Sequence, residues 1–207
     1  MNNIFDKYWH KYDAWYEKNQ PAFNSEILAV KHLLPKTGKG LDIGTGTGLF
    51  AQELGIKFGI DTSINMLKKA VLRGIKTCQA KAENLPLRGC EFDFVTIIAS
   101  LSFINDPAKA VNESYRVIKT GGSIILGLIN KQSTLGRSYR DKKSAFYKQA
   151  RFLSLDQASE MLKKSGFTGL EQVYTLSTMP EEIADAEQPR TQCDDCGFMV
   201  IRATKAD

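Results

Sequence analysis

The stretch LDIGTGTGLF, Leu41 to Phe50, places three glycines at alternate positions directly after a short apolar run. Glycines at a strand-to-helix turn let the backbone approach a ligand closely, and the first turn of the helix offers unpaired amide hydrogens. This stretch therefore predicts helices packed on a sheet, with a nucleotide-like cofactor bound at one edge of that sheet.

The spacing of the glycines distinguishes this turn from two other glycine-rich turns, the dinucleotide fingerprint and the P-loop. A dinucleotide fingerprint starting at Gly44 and Gly46 would have its third glycine at position 49, where the chain has Leu49. A P-loop would need Gly-Lys-Ser/Thr, which this turn lacks. Asp42, just ahead of the glycines, would repel a pyrophosphate but suits the ammonium and sulfonium groups of S-adenosylmethionine.

A second acid ends the next predicted strand. Strand IKFGID finishes at Asp61, where two carboxylate oxygens would meet the adjacent hydroxyls of a ribose across the sheet edge. NAD-binding proteins use the same arrangement, so Asp61 alone leaves both cofactors open. Capping of the following helix is the structural alternative, although Thr62 and Ser63 also offer it.

Strand-like and helix-like segments alternate from about residue 22 to 165, which predicts a mostly parallel sheet covered by helices. Phe92–Ile98 and Ser123–Ile129 are nearly continuous apolar runs, typical of central parallel strands that are buried on both faces. Ile75–Cys78 is short and alternating, so we place that strand at an edge of the sheet.

Capping residues mark the ends of two central helices. Ser63 precedes the first helix and Gly74 follows its last turn. Pro107 lies in the first turn of the second helix, which the sequence predicts to run as far as Gly121 and Gly122. The predicted buried face of the first helix consists of Ile64, Leu67 and Val71.

The C-terminal part departs from this alternation. Ser154 and Gln157 have the spacing of a capping box for one more helix. The strands Leu170–Leu176 and Phe198–Thr204 then follow without a full crossover helix between them, so they should pair antiparallel. The segment between them, 177–196, is predicted to be an acidic loop.

Length and composition favour one domain over residues 1–207, because 207 residues with 43% apolar content suffice for a single buried core. The net charge of +5 is too small to indicate nucleic-acid binding by itself. The N-terminus lacks the pattern of a secretory signal, and the longest apolar run is shorter than the roughly 20 residues of a membrane span. We expect a cytoplasmic protein that does not enter membranes and is a monomer or homodimer.

Five motifs between about residues 37 and 130 share the order and spacing of a known family: LDIGTGTG, FGIDTSINML, AENLPL, FDFVT and NESYRVIKTGG. In these motifs the chain resembles the class I S-adenosylmethionine-dependent methyltransferases, in their ubiquinone-biosynthesis-like, or type 11, branch. The resemblance implies an α/β, Rossmann-like, doubly wound seven-stranded sheet of order 3-2-1-4-5-7-6, whose last inserted strand is antiparallel. It also implies an enzyme that uses S-adenosylmethionine and releases S-adenosylhomocysteine.

The resemblance also implies which residues bind the cofactor. They are Asp42, Gly44, Thr45 and Gly46 at the methionine part, Asp61 at the ribose, Thr62 and Met66 at the adenosine, Ala82 and Glu83 beside the adenine, and Ser100 near the sulfonium. The position before Ala82, where many family members carry an acid that binds the adenine amino group, is Lys81. An ammonium has no acceptor, so either backbone groups serve the adenine instead or the contact with the adenine is weaker.

The N-terminal segment, residues 1–20, carries more aromatic surface than a solvated leading helix needs. It either packs on the flank of the sheet or closes as a lid over the cofactor. Its Tyr-Asp pair resembles the opening segment of related methyltransferases, which makes Tyr12 a candidate cofactor contact.

A basic insert, residues 131–151, follows the fifth strand, with Tyr139, Phe146 and Tyr147 among its charges. Such a segment is ordinarily a solvated helix face. At this end of the sheet it would alternatively grip an anionic acceptor, and a stacking site for nucleic acid is the less favoured alternative. Its basic residues are Lys131, Arg137, Arg140, Lys142, Lys143, Lys148 and Arg151.

Cys193 and Cys196 are spaced like half of a zinc site. A structural zinc ion needs four ligands, yet no second such pair occurs and the histidines are only His10 and His32. We therefore predict no metal and two reduced thiols, with a reversible disulfide as the alternative.

The chain offers no dedicated catalytic base after the fourth strand, where it reads ASLSFIND. Catalysis mainly by alignment and desolvation is the natural inference, with a small-molecule acceptor that is soft or already deprotonated. One alternative is a regulator that binds S-adenosylmethionine without turnover. Another is an NAD-dependent oxidoreductase, which Leu49 and the lack of a second mononucleotide-binding half disfavour.

Overall fold

The computed structural model describes residues 4–142 and 147–206, and its centre is one seven-stranded sheet of order β3-β2-β1-β4-β5-β7-β6. Strands β1 to β5 are parallel, whereas β7 runs antiparallel to both β5 and β6. The predicted strand order, the edge position of β3 and the antiparallel C-terminal pair are therefore confirmed. The strands are β1 Gly40–Ile43, β2 Phe58–Asp61, β3 Lys76–Gln79, β4 Phe92–Ile98, β5 Ile118–Ile129, β6 Phe167–Thr175 and β7 Phe198–Lys205.

Helices cover both faces of the sheet, and buried apolar residues form one core cluster on each face. The helices are α1 Ile4–Lys18, α2 Gln20–Leu33, α3 Leu49–Glu53, α4 Ile64–Leu72, α5 Pro107–Val117, α6 Thr134–Asp141 and α7 Leu155–Lys164. Short 3-10 turns lie at Leu101–Phe103, Tyr147–Gln149 and Pro180–Glu182. Within the described ranges, no helix combines the length and the apolar character that crossing a membrane requires.

Local capping chemistry sets several helix ends as predicted. The Ser63 hydroxyl accepts a hydrogen bond from the Met66 amide at the start of α4. Ser154 and Gln157 form the predicted reciprocal capping box at the start of α7. The end of α5 was predicted wrongly: the helix stops at Val117, and β5 begins at Ile118. Ile118 is already extended and pairs with β4, so the strand takes over before the two glycines are reached.

The buried face of α4 also differs from the prediction. Ile64 and Val71 are 44% and 55% exposed, while Leu67 is buried. The face that packs inward consists of Met66, Leu67 and Ala70. A side chain on Gly48 would lie 3.0 Å from Ala70, so α4 presents a small residue to the glycine turn. Packing against that turn, rather than the spacing of the largest apolar residues, decides which face is buried.

The prediction of reduced thiols at Cys193 and Cys196 is wrong, because the structure joins them in a disulfide. The loop before β7 brings their Cα atoms to 5.7 Å, within the range that a disulfide requires. Cys196 is fully buried, and the next residue, Gly197, donates its amide hydrogen to the carbonyl of Leu176. The loop geometry therefore favours the disulfide, which the sequence had left as the alternative.

Candidate functional site

A cavity of about 610 Å³ lies where the carboxyl ends of β1, β2 and β4 meet, with α1 above it. Its size is typical of a site that encloses a nucleoside-sized ligand. Its wall comes from the strand ends, from the loops that follow them and from the N-terminal helix. The lining residues are Ile4, Phe5, Tyr12, Ile43, Gly44, Gly46, Ile60, Asp61, Thr62, Met66, Ala80, Lys81, Ala82, Glu83, Ile98, Ala99, Ser100, Phe103, Ile104, Asn105 and Gln149.

The glycine turn forms the floor of this cavity. Gly44 has φ +71°, and its amide donates to the Ile60 carbonyl at 2.7 Å, which fastens the turn to β2. A Cβ atom on Gly44 would lie only 2.5 Å from Cβ and Oγ of Ser100, and one on Gly46 would lie 3.4 Å from the Met66 sulfur. The turn therefore needs glycine both for its left-handed conformation and for the room above it.

Asp61 holds the turn from the end of β2. One carboxylate oxygen accepts from the Gly46 amide at 2.9 Å and the other accepts from the Ser63 amide at 2.8 Å. Burial raises the pKa of Asp61 above its ordinary value, against the opposing effect of these backbone donors. Each oxygen has a second lone pair, and Asp61 lines the cavity, so the carboxylate can bind a ligand as well.

Asp42, which precedes the turn, and Thr45, which lies within it, do not line the cavity. Asp42 is 2% exposed, and its Oδ1 accepts from the Thr96 hydroxyl at 2.7 Å. Burial raises the pKa of Asp42 to about 6, although the hydrogen bond from Thr96 acts in the opposite direction. Contact of Asp42 and Thr45 with a methionine group stays a prediction.

We expect Asp42→Asn to change how stability depends on pH. The folded-state pKa of about 6 lies above the ordinary 3.8, so the native state favours protonated Asp42 and loses that stabilisation as pH rises from about 4 to above 6. The amide stays neutral throughout. Urea unfolding at several pH values should show Asp42→Asn gaining on the wild type by on the order of 2 kcal/mol between pH 4 and 7. A difference that is constant over this range would contradict the assignment.

Nine of the residues predicted to bind the cofactor lie together on the cavity wall. They are Tyr12, Gly44, Gly46, Asp61, Thr62, Met66, Ala82, Glu83 and Ser100. Ser100 directs its hydroxyl to the Ile43 carbonyl at 3.1 Å, and Glu83 accepts from the Asp106 amide at 3.4 Å. Lys81, the departure from the family pattern, is exposed and lines the same region.

Helix α1 lies over the cavity and is fastened to the elements around it. Phe5 contacts Phe103 edge-to-face, with ring centroids 4.8 Å apart. Asp6 accepts from the Ser63 hydroxyl at 2.7 Å and from the Asn65 amide at 3.1 Å. Because residues of α1 line the cavity, this helix forms the roof of the cavity as well as packing against the elements around it.

A second attachment of α1 lies further along the same helix, at Asp13. Asp13 pairs with Arg73 at 2.8 Å and accepts from the Thr47 hydroxyl at 2.6 Å. Arg73 in turn donates to the Thr47 carbonyl at 2.8 Å. These bonds connect the roof to the loop between β1 and α3 and to the end of α4.

Several lining residues were not found from the sequence. Ala80 and Ala99 follow directly on the ends of β3 and β4, and residues just after parallel strand ends are the general signal that could have found them. Ala99 also has φ +52°, which is uncommon for a residue with a Cβ atom. Phe103, Asn105 and Gln149 have no comparable signal in the sequence. They do not directly follow a strand, and only the fold of their connecting segments brings them to the cavity.

The basic insert contributes to the cavity only through Gln149 among its described residues. Its described basic side chains are exposed or, for Lys131, partly exposed, and none of them lines the cavity. Arg137 binds Thr134 and pairs with Asp195 on the surface. Lys143 and Phe146 lie outside the described residues. This arrangement favours the solvated-face interpretation of the segment over an anion-gripping one.

Comparison with known proteins adds independent information. Residues 41–126 match the family described as a methyltransferase domain. An uncharacterized protein of Methanocaldococcus jannaschii is 43% identical over 205 residues, covering 98% of this chain and 99% of that protein. The demethylmenaquinone methyltransferase of Staphylococcus epidermidis is 32% identical over 152 residues, which is 65% of this chain and 62% of that enzyme.

Among solved structures, a SAM-dependent methyltransferase of Thermotoga maritima, described as a possible histamine N-methyltransferase, is 40% identical to this chain. The two superpose with a TM-score of 0.95, covering 99% of this chain and 100% of that one.

Proposed function

The chain belongs to the S-adenosylmethionine-dependent methyltransferases, and we propose that it transfers a methyl group from this cofactor to a small-molecule acceptor. The observation that carries the proposal is the roofed cavity, which unites the glycine turn, Asp61 and Ser100 at one edge of the sheet. A cavity of this volume suits the nucleoside together with a compact acceptor.

The residues present fit this cofactor. Gly44 and Gly46 line the part of the cavity in which the methionine part would lie, and the missing Cβ atom at Gly44 lets Ser100 approach the turn. The acceptor oxygens of Asp61 suit the ribose hydroxyls, and Met66 with Ala82 would flank the adenine. In this assignment the sulfonium lies near Ser100, Thr62 contacts the adenosine, and Glu83 lies beside the adenine.

We propose that the protein accelerates the reaction mainly by alignment and by exclusion of water. S-adenosylmethionine supplies a methyl group that its positive sulfur already activates. Among the described lining residues, the titratable groups are Tyr12, Asp61, Lys81 and Glu83. In this assignment Asp61, Lys81 and Glu83 lie at the nucleoside end of the cavity. The fourth group is Tyr12, and burial raises its pKa above the ordinary value, so its phenol is a poor base at neutral pH. Positioning therefore has to supply most of the rate enhancement.

We expect loosening of the roof to speed cofactor release. Asp13→Ala removes the bonds to Arg73 and Thr47, and because these groups are partly exposed, the loss should be about 1.4 kcal/mol, or tenfold in the dissociation rate. Stopped-flow displacement of S-adenosylhomocysteine measures this rate. Glu17→Ala, an exposed change on the same helix, is the control and should leave the rate unchanged. An unchanged rate in Asp13→Ala would show that these bonds do not hold the roof.

Two measurements test the proposed function. Calorimetric titration should show saturable binding of S-adenosylmethionine and none of NADH; the reverse result would favour the oxidoreductase. Methyl release should then be followed with two acceptor panels, amines and quinols, because one relative is described as a possible histamine N-methyltransferase and another as a demethylmenaquinone methyltransferase. Cofactor binding without methyl transfer to any member of broad panels would favour the regulator.

A further inference from the structure

A buried carboxyl group lies behind the roof of the cavity. Glu26 on α2 is 2% exposed, and its Oε2 atom accepts no hydrogen bond from the described residues. A buried acceptor without a partner costs free energy, and a native protein keeps such a group mainly where it has a use. The sequence interpretation did not single out this residue, because it lies in an ordinary helical pattern.

Aromatic side chains from three elements gather around Glu26. Tyr12 and Tyr16 on α1 contact each other with ring centroids 5.0 Å apart. Tyr139 on α6 stacks on Tyr147 of the following 3-10 turn at 4.3 Å. Burial raises the phenol pKa of each of the four, and the charge of Glu26 raises it further, so all four lie within reach of that charge.

This aromatic cluster borders the cavity. Tyr12 belongs to both, because its side chain lines the cavity and also contacts Tyr16. Gln149, which lines the cavity, lies in the same 3-10 turn as Tyr147. Tyr12 and Tyr147 are only partly buried, unlike Tyr16 and Tyr139. Tyr12 is therefore the member of the cluster that is shared with the cavity wall.

The charges in this cluster suit a cation. Among the described residues, none of the ion pairs includes Glu26, and burial raises the pKa of Glu26 to about 8. The other titratable groups near the cluster are the four tyrosines, Glu181, whose charge acts on Tyr139 and Tyr147, and Asp13 and Asp42, whose charges act on Tyr12. A carboxylate beside several aromatic faces is the ordinary chemistry of ammonium recognition.

We propose that Glu26, with Tyr12, Tyr16, Tyr139 and Tyr147, forms a subsite that binds the cationic amine group of the methyl acceptor. This inference rests on the proposed function and narrows its acceptor to small amines. Binding of the cation would give the buried carboxylate the partner that it lacks.

The test uses the full chain saturated with S-adenosylhomocysteine and two probes of matched shape, phenethylamine and 2-phenylethanol. Calorimetry should show at least about tenfold tighter binding of the amine. Glu26→Gln should remove that preference, with the alcohol and S-adenosylhomocysteine binding as before. The control, Glu17→Gln, makes the same chemical change at an exposed site on α1 and should alter nothing.

A second measurement on the wild type needs no variant. At pH 7 a carboxyl group with a pKa of about 8 carries its proton, so binding of the ammonium should release close to one proton. Titration in phosphate and in Tris buffer measures this release as a difference in binding enthalpy. A release near one proton supports the subsite, and no release contradicts it.

Three results would overturn the inference while S-adenosylhomocysteine still binds. They are equal affinities for the amine and the alcohol, an unchanged amine affinity in Glu26→Gln, and no binding of phenethylamine. In each case the proposed methyltransferase function would stand. Failure of S-adenosylhomocysteine itself to bind would instead refute the proposed function, and the inference would fall with it.

Discussion

Gly44→Ala is expected to destabilise the fold by about 3 kcal/mol and to weaken cofactor binding at least about tenfold. The new Cβ atom would lie 2.5 Å from Cβ and Oγ of Ser100, and the backbone has φ +71°, where a side chain is strained. Relief would require movement of the glycine turn, which forms the floor of the cavity, or of the loop after β4, which carries Ser100. Urea unfolding gives the first quantity and calorimetry with S-adenosylmethionine the second.

Gly55→Ala provides a matched control. Gly55 has the same φ of +71°, but a Cβ atom there would meet nothing within 4 Å. This variant should therefore lose only the free energy that the left-handed backbone costs an alanine. The net loss of stability should be about 1 kcal/mol, because alanine also lowers the entropy of the unfolded chain. Adding Ser100→Gly to Gly44→Ala should recover much of the remaining loss, as a double-mutant cycle would measure. Equal costs for the two alanine variants would show that the contact with Ser100 is unimportant.

Asp61→Ala is expected to weaken cofactor binding by about 1 to 3 kcal/mol, which corresponds to about 5- to 150-fold in Kd. The carboxylate is the proposed acceptor for the ribose hydroxyls, and it also holds the Gly46 and Ser63 amides in place. Calorimetric titration with S-adenosylmethionine measures the loss, and circular dichroism checks that the variant is folded.

Asp185→Ala removes an exposed carboxylate from the acidic loop and controls for the change in net charge. It should bind the cofactor like the wild type. A folded Asp61→Ala variant with wild-type affinity would contradict the assignment of the ribose to the end of β2.

The sheet was predictable because its signals are local. Burial on both faces gives β4 and β5 their continuous apolar runs, and an edge position gives β3 its short alternating pattern. The lack of a crossover helix before β7 indicates antiparallel pairing. The family resemblance then supplied the strand order. The glycine turn and Asp61 were also predictable, because backbone clearance and a carboxylate at a strand end are visible in the sequence.

Other features depend on packing between distant segments. The position of α1 as a roof follows from bonds such as Asp13 to Arg73, which join residues far apart in the chain. The aromatic excess of residues 1–20 indicated that they cover something but not what they cover. Glu26 is hidden in the same way, since its burial follows from the packing of α2 against α1 and against β5, β6 and β7. The end of α5 was misjudged because pairing of Ile118 with β4 overrides the local glycine signal.

A crystal structure of the complex with S-adenosylhomocysteine would test the central claim most directly. We predict that the ribose hydroxyls lie about 2.6 to 3.2 Å from the Asp61 carboxylate, with the sulfur beside Ser100 and Tyr12 above the ligand. A nucleoside bound elsewhere on the protein, or bound in this cavity with its ribose away from Asp61, would contradict the account.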